Sequence, residues 1–147
     1  MPGADESEIR RPLGLSLLAG LYLFFFLVSA STFGNPYPCL GHIYEGMPAK
    51  ALVFVDSLVC LYLFIGIMKR QLLTWYLLLG YNLFEIVNTI VNLTYISRTE
   101  LERVVGARVH QEALLANNIA AALAVLLLSQ FIYRHRDYFT NREKYLF

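Results

Sequence analysis

Tyr81, Glu85, Asn88, Asn92 and Tyr95 recur at intervals of four, three, four and three residues, so a helix carries all five on one face. They stand inside a stretch, Leu72–Ile96, that is otherwise apolar. A carboxyl set among amides and phenols in hydrocarbon can hold or pass a proton, or accept a hydrogen bond from a ligand. It can also simply bond across to a neighbouring helix. Asp56, followed by Ser57 and Cys60, gives a second apolar stretch an acid of its own, and Asn117 with Asn118 marks a third.

Charge decides among these uses. An ionised carboxylate at the centre of a bilayer costs roughly 2.5–3.5 kcal/mol on insertion scales. No Lys, Arg or His lies within any of the apolar stretches to pair with it. A neutral, hydrogen-bonded acid is therefore the economical state for Glu85, while Asp56, nearer a boundary, is expected to reach water. At 1.5 Å of rise per residue Asp56 lies ~8 Å below that boundary, Asn88 ~12 Å, and Asn92 and Asn117 ~6 Å. Glu85 lies ~16 Å deep, near the midplane. The matching heights predict that the second, third and fourth spans bring Asp56, Tyr81, Glu85, Asn88, Asn92 and Asn117 together as a ligand or proton pocket.

A second constellation lies outside the spans. Cys39, His42 and Glu45 follow one another at three-residue spacing, and His110 falls in a later loop. Thiolate, imidazole and carboxylate all ligate metals, so these four form a candidate metal site. Solvated loop residues explain the same spacing. Cys60 falls ~14 Å into its helix by helical rise, too deep to pair with Cys39 as a disulfide. No Gly-x-Ser-x-Gly elbow, phosphate-binding Gly-rich loop or His-Glu-x-x-His motif occurs. No cofactor is implied and no enzyme is expected.

The elements that must position these residues follow from composition. Of 147 residues 57% are hydrophobic, more than a soluble domain of this size can bury. A net charge of +1 gives no sign of nucleic-acid binding. Four apolar stretches, at about 13–33, 51–68, 72–96 and 113–133, each approach the ~20 residues that a helix needs to cross the hydrocarbon core. Arg10, Arg11 and the small residues Val28-Ser29-Ala30 give the first stretch some likeness to a signal peptide. Its apolar part is longer than such peptides carry, and it is read as a spanning helix.

The expected fold is all-α: a single polytopic membrane domain, an antiparallel bundle of four transmembrane helices. Arg10, Arg11, Lys69, Arg70, Arg134, Arg136, Arg142 and Lys144 share one side, against Lys50, Arg98, Arg103 and Arg108 on the other. The larger group marks the cytoplasmic side, which then holds both termini and the Lys69–Gln71 turn. Trp75, Tyr76, Phe131 and Tyr133 are placed at that interface. Met1–Glu8 is expected to be disordered. The first outer loop, with three prolines and three glycines, reads as turns. In the second, Thr99 with Glu102 fits a capping box, and Leu101, Val104, Val105 and Val109 share a face. That predicts a short interfacial helix. Ala116, Ala120 and Ala124, and Ser16 with Gly20, are spaced for close helix contact in lipid.

Arg11-Pro12-Leu13-Gly14, Gly66-Ile67-Met68-Lys69-Arg70 and the tail Tyr133-Arg134-His135-Arg136-Asp137-Tyr138-Phe139 resemble small four-helix integral membrane proteins of bacteria. The resemblance implies topology and a bacterial inner membrane, and no activity. Through Asp56 and Glu85 the chain is also similar, at the level of fold, to sterol-handling four-helix proteins of the sigma-2 receptor type, although its first helix carries no acid.

Two functions are then expected to compete. One is a non-enzymatic accessory or interaction subunit, contacting a membrane-protein partner or a second copy through Ala116–Ala124 or the polar face. The other is a small transporter or a binder of lipid or small ligands that uses the intramembrane carboxyls. A cavity among the helices favours the second, tight packing the first.

Overall fold

The computed structural model describes residues 12–143. Arg10, Arg11, Lys144 and the segment Met1–Glu8 lie outside the described residues. The chain is mostly helical, and four of its helices are long and apolar enough to cross a membrane: α1 (Leu13–Ser31), α2 (Met47–Met68), α3 (Leu72–Tyr95) and α5 (Gln111–Arg134). Between α3 and α5 lies the short α4 (Arg98–Val105), and between α1 and α2 two strands, β1 (Tyr37–Cys39) and β2 (His42–Tyr44).

The helix boundaries have local causes. α1 stops two residues short of its apolar stretch, where the Ser31 and Thr32 hydroxyls turn back onto the carbonyls of Val28 and Ser29. α2 starts four residues before its apolar stretch, because Pro48 fits the first turn of a helix and Gly46 takes the φ of +69° that the entry needs. α4 is capped by Ser97, whose hydroxyl accepts the Glu100 N–H at 3.1 Å, and not by Thr99. Ser97 and Glu100 have the capping-box spacing, and Glu102 instead accepts the Val109 N–H at 3.0 Å. Leu101, Val104 and Val109 are half-buried along this segment, while Val105 is exposed.

The first loop is more ordered than its turn composition suggests. β1 and β2 pair antiparallel, with Tyr37 opposite Tyr44 and Cys39 opposite His42. Leu40 (φ +48°) and Gly41 (φ +89°) make the two-residue turn, a backbone that suits the twist of a hairpin. The Asn88 and Asn92 side chains of α3 accept the N–H groups of Leu40 and Gly41 at 2.7 and 2.8 Å. Tyr95 closes over Gly41, where an added Cβ would come within 2.9 Å of it.

Packing is uneven along the helices. α1 lies against α2 and α3 against α5 over long seams, whereas α2 and α3 touch far less despite the short turn that joins them. The buried apolar core, with Leu15, Leu18, Leu63, Ile67, Leu78 and Ile132, gathers toward the end that carries the Lys69–Gln71 turn. At this turn end the tail folds back. Asn141 accepts the Leu72 N–H at 2.7 Å and donates to Arg70 O at 2.9 Å, and Arg70 Nε reaches Tyr138 O at 2.8 Å. Trp75 is buried there rather than facing lipid; its indole N–H donates to Ile132 O at 2.8 Å, and Arg136 stacks over its ring at 5.0 Å. The opposite, hairpin end lacks such a core.

Candidate functional site

The polar residues gather in this loosely packed, hairpin-end half. Asp56, on α2, accepts two hydroxyl hydrogens: Ser29 of α1 donates to Oδ2 at 2.7 Å and Tyr81 of α3 to Oδ1 at 2.8 Å. Both oxygens of the carboxyl are thereby hydrogen-bonded, with no basic residue beside them. The Tyr81 proton is committed to Asp56, so the Cys60 thiol, 3.4 Å from the phenol oxygen, is the donor of that pair. Ser57 donates to Val53 O of its own helix at 2.8 Å and lies 3.2 Å from the Ser29 hydroxyl.

Seven residues back along α1 from Ser29, about two turns deeper, Tyr22 is fully buried and donates to Asn82 Oδ1 at 2.6 Å. Asn82 is itself only 2% exposed. Its amide nitrogen Nδ2 and the Glu85 oxygen Oε1 are buried with no hydrogen-bond partner among the described residues. Orphaned polar atoms of this kind cost free energy wherever nothing satisfies them.

These groups share a cavity of about 300 Å³. Ser29, Tyr37, Asp56, Tyr81, Asn82 and Glu85 give it polar atoms, and Phe25, Val28 and Val125 make the apolar part. Its walls come from α1, α2, α3, α5 and the hairpin. The volume falls at the lower end of the range for small-molecule sites, and a mostly apolar lining with a few convergent polar groups is their usual composition. Burial, reinforced by Asp56 and Glu85, pushes the Tyr37 phenol well above its ordinary value, so it remains a protonated donor at the rim.

Of the six residues expected to meet, three do: Asp56, Tyr81 and Glu85 all line the cavity. Asn88 and Asn92 lie on the same face of α3, but their oxygens are taken by the hairpin turn. Asn117 is exposed, because α5 turns that edge away from the other helices, and Asn118 bonds to Leu114 O of its own helix at 2.7 Å. Ser29, Tyr37 and Asn82 were not among the expected residues. Ser29 carries a signal that sequence offers, since it lies in the last turn of α1 at the height of Asp56. Asn82, one position past Tyr81, sits off the polar stripe and turns toward α1, and no spacing rule marks Tyr37.

The four candidate metal ligands do not assemble. Cys39 and His42 face each other across the hairpin, Glu45 is exposed beyond it, and His110 lines a separate surface hollow with Arg98 and Glu112. No group of three or more His, Cys, Asp or Glu able to hold a metal forms among the described residues. Burial also pushes the Cys39 thiol up, away from the thiolate a metal takes. Both cysteines are free. Comparison of the chain with protein-family models, with curated proteins and with solved structures finds no match in any of the three.

Proposed function

We propose that the protein is an integral membrane protein that binds a small molecule between its helices, with Asp56 and Glu85 as the groups that recognise it. The helices form an antiparallel four-span bundle, with the Lys69–Gln71 turn and both termini cytoplasmic, so the cavity opens in the outer half of the bilayer. One observation carries the reading: two carboxyls and a buried amide converge on a 300 Å³ space, and Glu85 Oε1 and Asn82 Nδ2 have no partner among the described residues. Helices held together by polar contacts alone would satisfy such atoms against each other. Side chains that turn toward a bound polar molecule would gain the partners these atoms lack.

A thermal-unfolding panel tests this. Purified protein is exposed in turn to small amines, carboxylates, zwitterions and neutral polyols. At least one class raises the unfolding midpoint of the wild type and leaves that of Asp56→Asn unmoved. If no class does so, the reading fails.

Contact with another membrane helix is a second reading, supported by α5. Ala116, Ala120 and Ala124 are exposed, as is Asn117 beside them, and Ile132 alone is buried along that helix. A small-residue face permits close backbone approach, and an amide in hydrocarbon gains from a partner. Disulfide cross-linking of Ala120→Cys in the membrane yields a specific adduct on this reading, and none if lipid covers the face.

A further inference from the structure

The cavity is not the largest hollow in the molecule. A groove of about 570 Å³ runs on the far side of the α2–α3 seam, where those two helices stand apart. Val55, Leu58, Val59, Tyr62, Leu77 and Gly80 line it, and its surface is almost wholly apolar. Tyr81 belongs to both walls. Its ring stands between groove and cavity, and its hydroxyl reaches Asp56 and Cys60. On α2 the groove spans Val55 to Leu63, ~12 Å along the helix axis and so parallel to a lipid chain.

We propose, building on the binding role above, that the ligand is a cationic amphiphile. Its ammonium head lies against Asp56 and Glu85, and its single hydrocarbon chain passes Tyr81 into the α2–α3 groove. Charge supports the head. The cavity wall holds two carboxyls and no Lys, Arg or His, so a cationic head meets acceptor oxygens there and no like charge. Phe25, Tyr37 and Tyr81 line the cavity, and aromatic rings attract an organic cation that lies over them. The groove supports the chain: it shares Tyr81 with the cavity wall, and Gly80 leaves it open, with nothing beyond its chain neighbours and its own helix backbone within 4 Å of where a Cβ would stand.

The test uses the full chain in lipid nanodiscs, read by thermal unfolding against butylamine, octylamine, octanol and octanoate. Both amines stabilise the wild type, octanol and octanoate do not, and Asp56→Asn abolishes the response. Gly80→Leu fills the groove without touching the cavity. It weakens octylamine by about tenfold or more, as expected when a few methylenes lose their contacts, and leaves butylamine unchanged. Partition into the bilayer raises octylamine equally for both proteins, so the comparison isolates the groove. If Gly80→Leu and wild type respond alike to octylamine, the chain does not use the groove and the inference is overturned while the binding role stands. Stabilisation by octanoate or octanol in place of the amines overturns the cationic head in the same way. No response to any of the four overturns the inference, and the wider small-molecule panel then decides the binding role separately.

Discussion

The Tyr81 hydroxyl lies 2.8 Å from Asp56 Oδ1 and joins α3 to α2 at a level where the two helices otherwise stand apart. The pair fixes the Asp56 carboxyl at the cavity wall and sets the ring that divides cavity from groove. Tyr81→Phe keeps the ring and removes the bond. Leaving a buried acceptor without its donor costs ~1–3 kcal/mol, so thermal unfolding of Tyr81→Phe registers a loss in that range. Asp56→Asn combined with Tyr81→Phe is less than additive, since both changes break one bond. Additive losses would show that the bond contributes nothing.

A second cross-helix bond makes a sharper cycle. Tyr22→Phe strands Asn82, which is buried and already carries an unpartnered Nδ2, and destabilises by ~1–3 kcal/mol. Adding Asn82→Leu removes the stranded amide and recovers part of that loss. A double variant less stable than Tyr22→Phe alone contradicts this account of the pair.

Glu85 separates the site from plain helix-to-helix adhesion. Its Oε1 has no partner among the described residues, so exchanging the carboxyl for an apolar group relieves a desolvated atom. Glu85→Leu therefore unfolds at or above the wild-type temperature while losing ligand response, and Glu85→Gln folds normally. A loss of ~1–3 kcal/mol in Glu85→Leu would mark the residue as a structural contact instead.

Much of this was legible in the sequence, and the reasons are physical. Spans come from long apolar runs, and α3 and α5 end within two residues of their expected bounds, because hydrocarbon thickness fixes helix length. Asp56, Tyr81 and Glu85 could be placed together because depth and helical phase both follow from counting residues. Rotation about the helix axis does not. Asn117 has the right depth and faces away, since the α3–α5 seam and not its own sequence sets how α5 is turned. The hairpin escaped because Leu40 takes a positive φ without the Asn or Gly that usually announces it, held there by Asn88. The same bond withdrew Asn88 from the pocket.

Cys39 provides a check outside the spans. Burial, with Glu85 adding to it, holds its thiol above the ordinary value, so less thiolate exists at any given pH. Maleimide labelling of Cys39 at neutral pH is slower than that of a free cysteine. Its rate reaches half of its maximum at a pH above the ~8.5 at which an unperturbed thiol is half ionised, and levels off correspondingly later. A rate profile that levels off with the free thiol would show an unperturbed, solvated side chain.

The central claim is that the cavity at Asp56 and Glu85 holds a small molecule. Wild type and Asp56→Asn are extracted from the same native membrane, matched for helix content by circular dichroism, washed and denatured, and the released small molecules are weighed by mass spectrometry. The account predicts one compound in near-stoichiometric amount from the wild type and its loss from Asp56→Asn. An empty wild type, or the same compound in equal amount from both, would contradict it.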